Sequence, residues 1–107
     1  MSELQNIIII FCDDMGYGDI GSYGSRLNKT PRLDKRADEA IMFTDFYVSA
    51  PVCSPSRSSL MTGCYSQRIG LADGPKHCVL MPGDPIGISS EELTLAELLK
   101  NKRYATG

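Results

Sequence analysis

Cys53-Ser54-Pro55-Ser56-Arg57 holds a nucleophile and a guanidinium four residues apart, with a proline between them. Proline is tolerated in the first turn of a helix, so Pro55 could open a short one. A nucleophile at such a helix start feels the N-terminal dipole, which favours a developing anion. Arg57 stands one turn further on, and its planar fork of donors suits a tetrahedral oxyanion such as sulfate or phosphate. The run reads as an activated thiol beside an anion site; a structural cysteine and a surface arginine are the competing reading. Asp13-Asp14 is the second candidate. Adjacent carboxylates repel unless a cation sits between them or they point apart, and hard divalent cations such as calcium or magnesium want several oxygen ligands. The alternative there is a solvated turn.

Both runs need elements to position them. Ile7–Cys12 is an unbroken apolar run opening on four isoleucines, which predicts a strand buried on both faces, as in a parallel sheet covered by helices. It stops at Asp13-Asp14, followed by Gly16, Gly18 and Gly21, so the carboxylates are expected at the C-terminal edge of a strand, where open α/β sheets place ligands. Thr30-Pro31 reads as an N-cap and first helical position, with a helix to about Ala40 facing Leu33, Ala37, Ala40 and Ile41 inward. A second strand is expected over Ile41–Val48. Ser56–Met61 reads as a helix stopped by Gly63. Residues 64–88 read as an irregular surface stretch, rich in Gly and Pro. Glu91–Lys102 reads as an amphipathic helix with Leu95, Leu98 and Leu99 inward, and with two competing capping boxes, Thr94 with Glu97 and Ser89 with Glu92. Tyr104–Thr106 resembles the start of a further strand. This order favours an α/β layer architecture.

Composition bounds the partners. The chain has 107 residues, one domain at most, with 42% hydrophobic and 22% charged residues and a net charge of −2. That balance gives no broad basic surface for nucleic acid or an acidic membrane. The absence of tryptophan gives a base-stacking platform little support. The spacing of Cys12, Cys53, Cys64 and Cys78 matches no zinc pattern, and His77 is the only histidine. Cys12 is expected to be a buried strand residue, and Cys64 and Cys78 ordinary thiols, a disulfide between them being the lesser alternative. No signal peptide is visible as written, and Ile7–Cys12 is too short to span a membrane, which leaves localisation open.

Cys53-Ser54-Pro55-Ser56-Arg57, continued by Ser58-Ser59-Leu60-Met61-Thr62-Gly63, resembles the active-site signature of the type I, formylglycine-dependent sulfatases. Asn6–Asp19, Thr30-Pro31-Arg32-Leu33-Asp34, Phe43-Thr44-Asp45-Phe46-Tyr47 and Thr94–Lys100 with Tyr104–Gly107 resemble the family in the same order. The likeness covers nearly the whole chain and lies toward the branch of arylsulfatase A and N-acetylgalactosamine-6-sulfatase. It implies the N-terminal part of an alkaline-phosphatase-like sandwich, a mostly parallel central sheet flanked by helices, with residues 1–107 an incomplete catalytic domain. It also implies that Cys53 is converted to formylglycine by a formylglycine-generating enzyme that reads Cys53–Arg57. The hydrated aldehyde would then attack sulfur through one hydroxyl and displace the alcohol, and the other hydroxyl would lose its proton and expel sulfate as the aldehyde reforms. Asp13 and Asp14, together with modified Cys53, match metal ligands, normally for calcium, with magnesium as an alternative. Arg57 matches the arginine that supports the formylglycine. Ser54, Pro55 and Ser56 would serve chiefly in recognition by the modifying enzyme.

The resemblance thus implies a sulfuric ester hydrolase acting on a small-molecule or glycan sulfate. Two other readings stand beside it: a phosphonate or phosphate ester hydrolase of the same superfamily, and a non-catalytic truncated product. The family's later Lys, His and metal ligands would follow Gly107, so the 107 residues alone are expected to be inactive and marginally folded. Arg103 stands where the family often has glycine, and Arg36 where an apolar residue is common. His77 and Lys76 are expected on a surface loop, Asp19 and Asp45 as caps or turn residues, and Tyr17 and Tyr23 as candidates for a pocket mouth.

Overall fold

The computed structural model describes residues 5–72 and 79–107, and the chain divides into two compact units, residues 1–45 and 46–107. Helix α1 spans Pro31–Glu39, α2 spans Cys53–Thr62 and α3 spans Leu95–Asn101; Tyr17–Asp19 and Gly21–Tyr23 are short 3₁₀ turns. No strand is formed among the described residues.

In the first unit, Ile7–Cys12 carries no ladder, so the expected buried strand is not formed among the described residues. Ile8 and Ile10 are 83% and 82% exposed, and Cys12 is exposed rather than buried. β-Branched residues fit a pleated, half-buried surface, and among the described residues no strand or covering layer meets these. The segment Ile41–Val48 is likewise without a strand, with Phe43, Phe46 and Tyr47 exposed. The expected parallel sheet is therefore not formed among the described residues; the helices are.

Helix α1 starts where expected, with Thr30 as N-cap and Pro31 as the first helical residue. Proline there forfeits only an amide that has no intrahelical partner. Its half-buried residues are Asp34 and Ala37, whereas Leu33, Ala40 and Ile41 are exposed, so the expected inward face is rotated toward Asp34. Lys35 and Arg36 pair with Glu39 at 3.8 and 3.6 Å on the solvent side. Exposed pairs of this kind contribute about 0.3–0.5 kcal/mol. Arg36 thus has a charged partner on its own helix.

In the second unit, α2 begins three residues before the expected start and ends at Gly63, whose φ of 69° lets its N–H donate to the Ser59 carbonyl at 2.8 Å. The covered residues of α2 are Pro55, Ser56, Ser58 and Ser59, and they share the interior with Ser66 and Leu71. Part of the expected surface stretch is therefore interior. The Leu71 N–H donates to the Ser66 carbonyl at 2.8 Å, which folds this segment back on itself.

Thr94 and Glu97 win the contest to cap α3. The Glu97 N–H donates to Thr94 Oγ1 at 3.3 Å, and the Thr94 N–H donates back to Glu97 Oε2 at 2.8 Å. Ser89 and Glu92 form only a turn before it. The helix starts at Leu95 accordingly, later than Glu91. Leu95 and Leu99 are half-buried, while Leu98 is exposed. Its far end closes through Arg103, whose φ is 69°: the Arg103 N–H donates to the Lys100 carbonyl at 2.9 Å, and the Tyr104 N–H to the Leu99 carbonyl at 3.1 Å. That is the double-bonded left-handed stop usually given to glycine.

Candidate functional site

Helix α2 places Cys53 at its first position and Arg57 four residues on, so both lie on one helical face. The N-cap residue is Val52, in extended conformation, whose side chain makes no cap bond. The amides of Cys53 and Ser54 thus face the helix start with no side-chain oxygen of the N-cap to receive them. Pro55, at the third position, has no amide to leave over. The first helical bond runs from the Ser56 N–H to the Val52 carbonyl at 3.2 Å. A helix start of this kind, with aligned amides and the positive end of the dipole, favours an anion. Cys53 is half-buried and a free thiol, and the Arg57 side chain is exposed.

The start of α2 is held from outside. Ser54 Oγ accepts the Leu80 N–H at 3.0 Å, tying a residue twenty-six positions later to the helix start. Sequence reading assigned Ser54 to recognition by a modifying enzyme and missed this tie, since no local signal marks a bond of such separation. The helix body is held from within: Ser58 Oγ donates to the Pro55 carbonyl and Thr62 Oγ1 to the Ser58 carbonyl, each at 2.8 Å. Pro55 is fully buried. Ser59 Oγ is buried with no partner among the described residues.

Asp13 and Asp14 lie in the first unit, at a bend, both exposed. Asp14 has φ 52°, in the left-handed region that a side-chain-bearing residue seldom adopts. Two hard carboxylate oxygen donors side by side fit a hard divalent cation in chemistry. They furnish only part of the six to eight oxygens calcium takes. No cluster of three or more His, Cys, Asp or Glu side chains converges among the described residues. The chain after the pair is pinned: the Gly16 N–H donates to Asp19 Oδ2 at 2.8 Å, and Asn28 Nδ2 donates to the Asp19 carbonyl at 3.1 Å. Asp19 is the turn residue the sequence suggested. Tyr17 and Tyr23 stack edge to face with centroids 4.9 Å apart, and the Tyr23 hydroxyl donates to the Phe43 carbonyl at 2.8 Å.

An open groove of about 370 Å³ lies at the C-terminal end of α2, lined by Leu60, Met61, Cys64, Leu93, Leu95 and Leu98 among others. It is about two helical turns from Cys53. Beside it, Arg68 Nη1 donates to Cys64 Sγ at 2.9 Å and pairs with Glu92 at 2.9 Å. The Glu92 carboxylate pushes the Arg68 pKa further up, with Cys64 adding to it. Cys64 is a free thiol, while Cys78, Lys76 and His77 lie outside the described residues. No helix among the described residues is long and apolar enough to cross a membrane.

Comparison with known proteins matches residues 5–107 to the Sulfatase family. The chain is 48% identical to arylsulfatase A of Bos taurus over 102 residues, which is 95% of this chain and 19% of that protein. It is 46% identical to arylsulfatase A of Homo sapiens over the same shares. It is 40% identical to steryl-sulfatase of Mus musculus over 94% of this chain and 16% of that protein. The chain therefore spans less than a fifth of the length of these relatives.

Proposed function

The chain belongs to the sulfatase family, and from that premise we propose that it is the N-terminal segment of a sulfuric ester hydrolase. The observation that carries the proposal is Cys53 at the first position of α2 with Arg57 one turn on. Cys53 is the residue to be converted to formylglycine by a formylglycine-generating enzyme. That aldehyde supplies a nucleophilic hydroxyl on hydration. The amides at the α2 start favour the negative charge that gathers on the sulfuryl oxygens. Arg57 holds the anion in orientation through its fork of donors. Asp13 and Asp14 hold a divalent cation, calcium before magnesium, whose chemistry there is that of a Lewis acid. Position 53, after modification, would be a further ligand for that cation. The substrate is a sulfate ester, small molecule or glycan. The fold is alkaline-phosphatase-like, with Ile7–Cys12 a strand of its central sheet once the strands that flank it are present.

Paired turnover of an aryl sulfate and an aryl phosphonate by the full chain tests the assignment. Faster phosphonate turnover moves the protein to a phosphonate hydrolase of the same superfamily. Mass spectrometry of the peptide spanning Cys53 tests the nucleophile: conversion exchanges the sulfur and two hydrogens for one oxygen. An intact thiol, in cells that carry the modifying enzyme, overturns the mechanism.

A further inference from the structure

A pair of carboxylates binds a cation more tightly when the backbone that carries them is held before the ion arrives. Asp14 stands in a left-handed conformation, which persists only where its surroundings over-determine it. The chain from Asp14 to Tyr23 has no α-helix or strand, and its two 3₁₀ turns bury no residue. Side-chain hydrogen bonds fix it instead, and those to its second half converge on the first turn of α1.

The Gly21 N–H donates to Thr30 Oγ1 at 2.7 Å. The Thr30 hydroxyl in turn donates to Asp34 Oδ1 at 2.9 Å. The same oxygen of Asp34 accepts the Ser22 N–H at 2.8 Å. Thr30 occupies the N-cap position of α1, yet its side chain makes no cap bond; the hydroxyl is spent on the loop. Gly21 fits against this carboxylate with no room to spare: a Cβ there would lie 2.6 Å from Asp34 Oδ2 and 2.8 Å from Oδ1. The carboxylate cannot yield without giving up its bonds to Thr30 and Ser22. From Gly21 the constraint runs back through the two turns to Gly16, which Asp19 holds two residues beyond Asp14.

We propose that Thr30 and Asp34 clamp the Gly16–Tyr23 loop and thereby hold Asp13 and Asp14 ready for the cation, so that Asp34 is a positioning residue of the metal site. The inference rests on the reading of Asp13-Asp14 as cation ligands. It adds a carboxylate twenty residues downstream that does not itself bind the ion.

Calcium affinity of the full chain, measured by calorimetry alongside thermal unfolding in chelator, tests it. Outer partners of metal ligands typically alter affinity 10–100-fold, so Asp34→Asn is expected to weaken calcium binding about tenfold. Thr30→Ser, which keeps the hydroxyl, is expected to leave affinity unchanged. Leu71→Ala removes an interior side chain of the second unit; it is expected to lower the melting temperature and leave calcium affinity alone. Should Asp34→Asn not fold, Thr30→Val removes the hydroxyl, keeps the carboxylate and gives the same readout. If Asp13→Asn abolishes binding while Asp34→Asn (or Thr30→Val in its stead) binds as the parent does, the clamp is overturned and the ligand reading survives. If Asp13→Asn binds calcium as the parent does, the ligand reading falls and the clamp with it.

Discussion

The hydroxyl of Ser54 accepts the backbone N–H of Leu80 at 3.0 Å, joining the start of α2 to a segment twenty-six residues away. An intramolecular hydrogen bond contributes about 1 kcal/mol net, and leaving a covered amide without its acceptor costs about 1–3 kcal/mol. Ser54→Ala is therefore expected to destabilise by about 1 kcal/mol. Hydrogen exchange at the Leu80 amide should accelerate while that at Gly63 stays as it was. Unchanged protection at Leu80 contradicts the tie.

Arg103 carries a side chain at φ 69°, where α3 closes with bonds to Lys100 and Leu99. The left-handed conformation costs a side-chain-bearing residue about 1–2 kcal/mol, and glycine avoids that strain at some cost in unfolded-chain entropy. Arg103→Gly is expected to stabilise by up to about 1 kcal/mol. Urea unfolding gives the value, and a loss of stability would show that the Arg103 side chain contributes more than its backbone strain.

Glu97 lies below the usual carboxylate range, because the Thr94 backbone N–H and then the Thr94 hydroxyl donate to it. A group whose folded pKa is depressed stabilises above its unfolded value and ceases to as pH falls through the folded value. The cap of α3 should thus be intact above about pH 4.5 and weaken below it. Glu97→Gln is expected to flatten stability against pH in that window. An unaltered acid limb in the variant would remove Glu97 from the account.

Ser59 buries a hydroxyl with no partner among the described residues. Leaving such a group unsatisfied costs about 1–3 kcal/mol. Ser59→Ala is expected to be neutral or stabilising by up to about 1 kcal/mol, since it removes the hydroxyl and very little volume. Thermal unfolding decides this, and a clear loss would mean that the hydroxyl finds a partner in the full chain.

Local chemistry was the legible part of this chain. Thr30-Pro31 and the Thr94–Glu97 box announce their helices because the groups that satisfy one another lie within four residues. The start of α2 was read three residues late, because Val52 has no capping side chain and Pro55 looked like the first helical position rather than the third. The departure at Arg103 was visible as a missing glycine, and its backbone angle supplies the physical meaning. The expected strand at Ile7–Cys12 depended on partners that sequence alone does not pair, and none meets it among the described residues. Cys53, Arg57, Asp13 and Asp14 were picked out by their types and spacing. The ties around them, Ser54 to Leu80 and Asp34 to Ser22, span distances at which spacing carries no signal.

The covered face of α2 is made of Pro55 and serines, with Leu71 as the buried hydrophobic side chain that shares the interior. Exposing apolar surface raises heat capacity on unfolding, whereas exposing polar surface lowers it. Detaching α2 from its unit therefore involves a small heat-capacity change. Its hold is largely enthalpic, resting on bonds such as that from the Leu80 N–H to Ser54 Oγ, and it weakens on warming without the loss on cooling that a leucine-faced helix would show. The element that carries Cys53 is thus secured by a nearly straight line of free energy against temperature rather than by a dome.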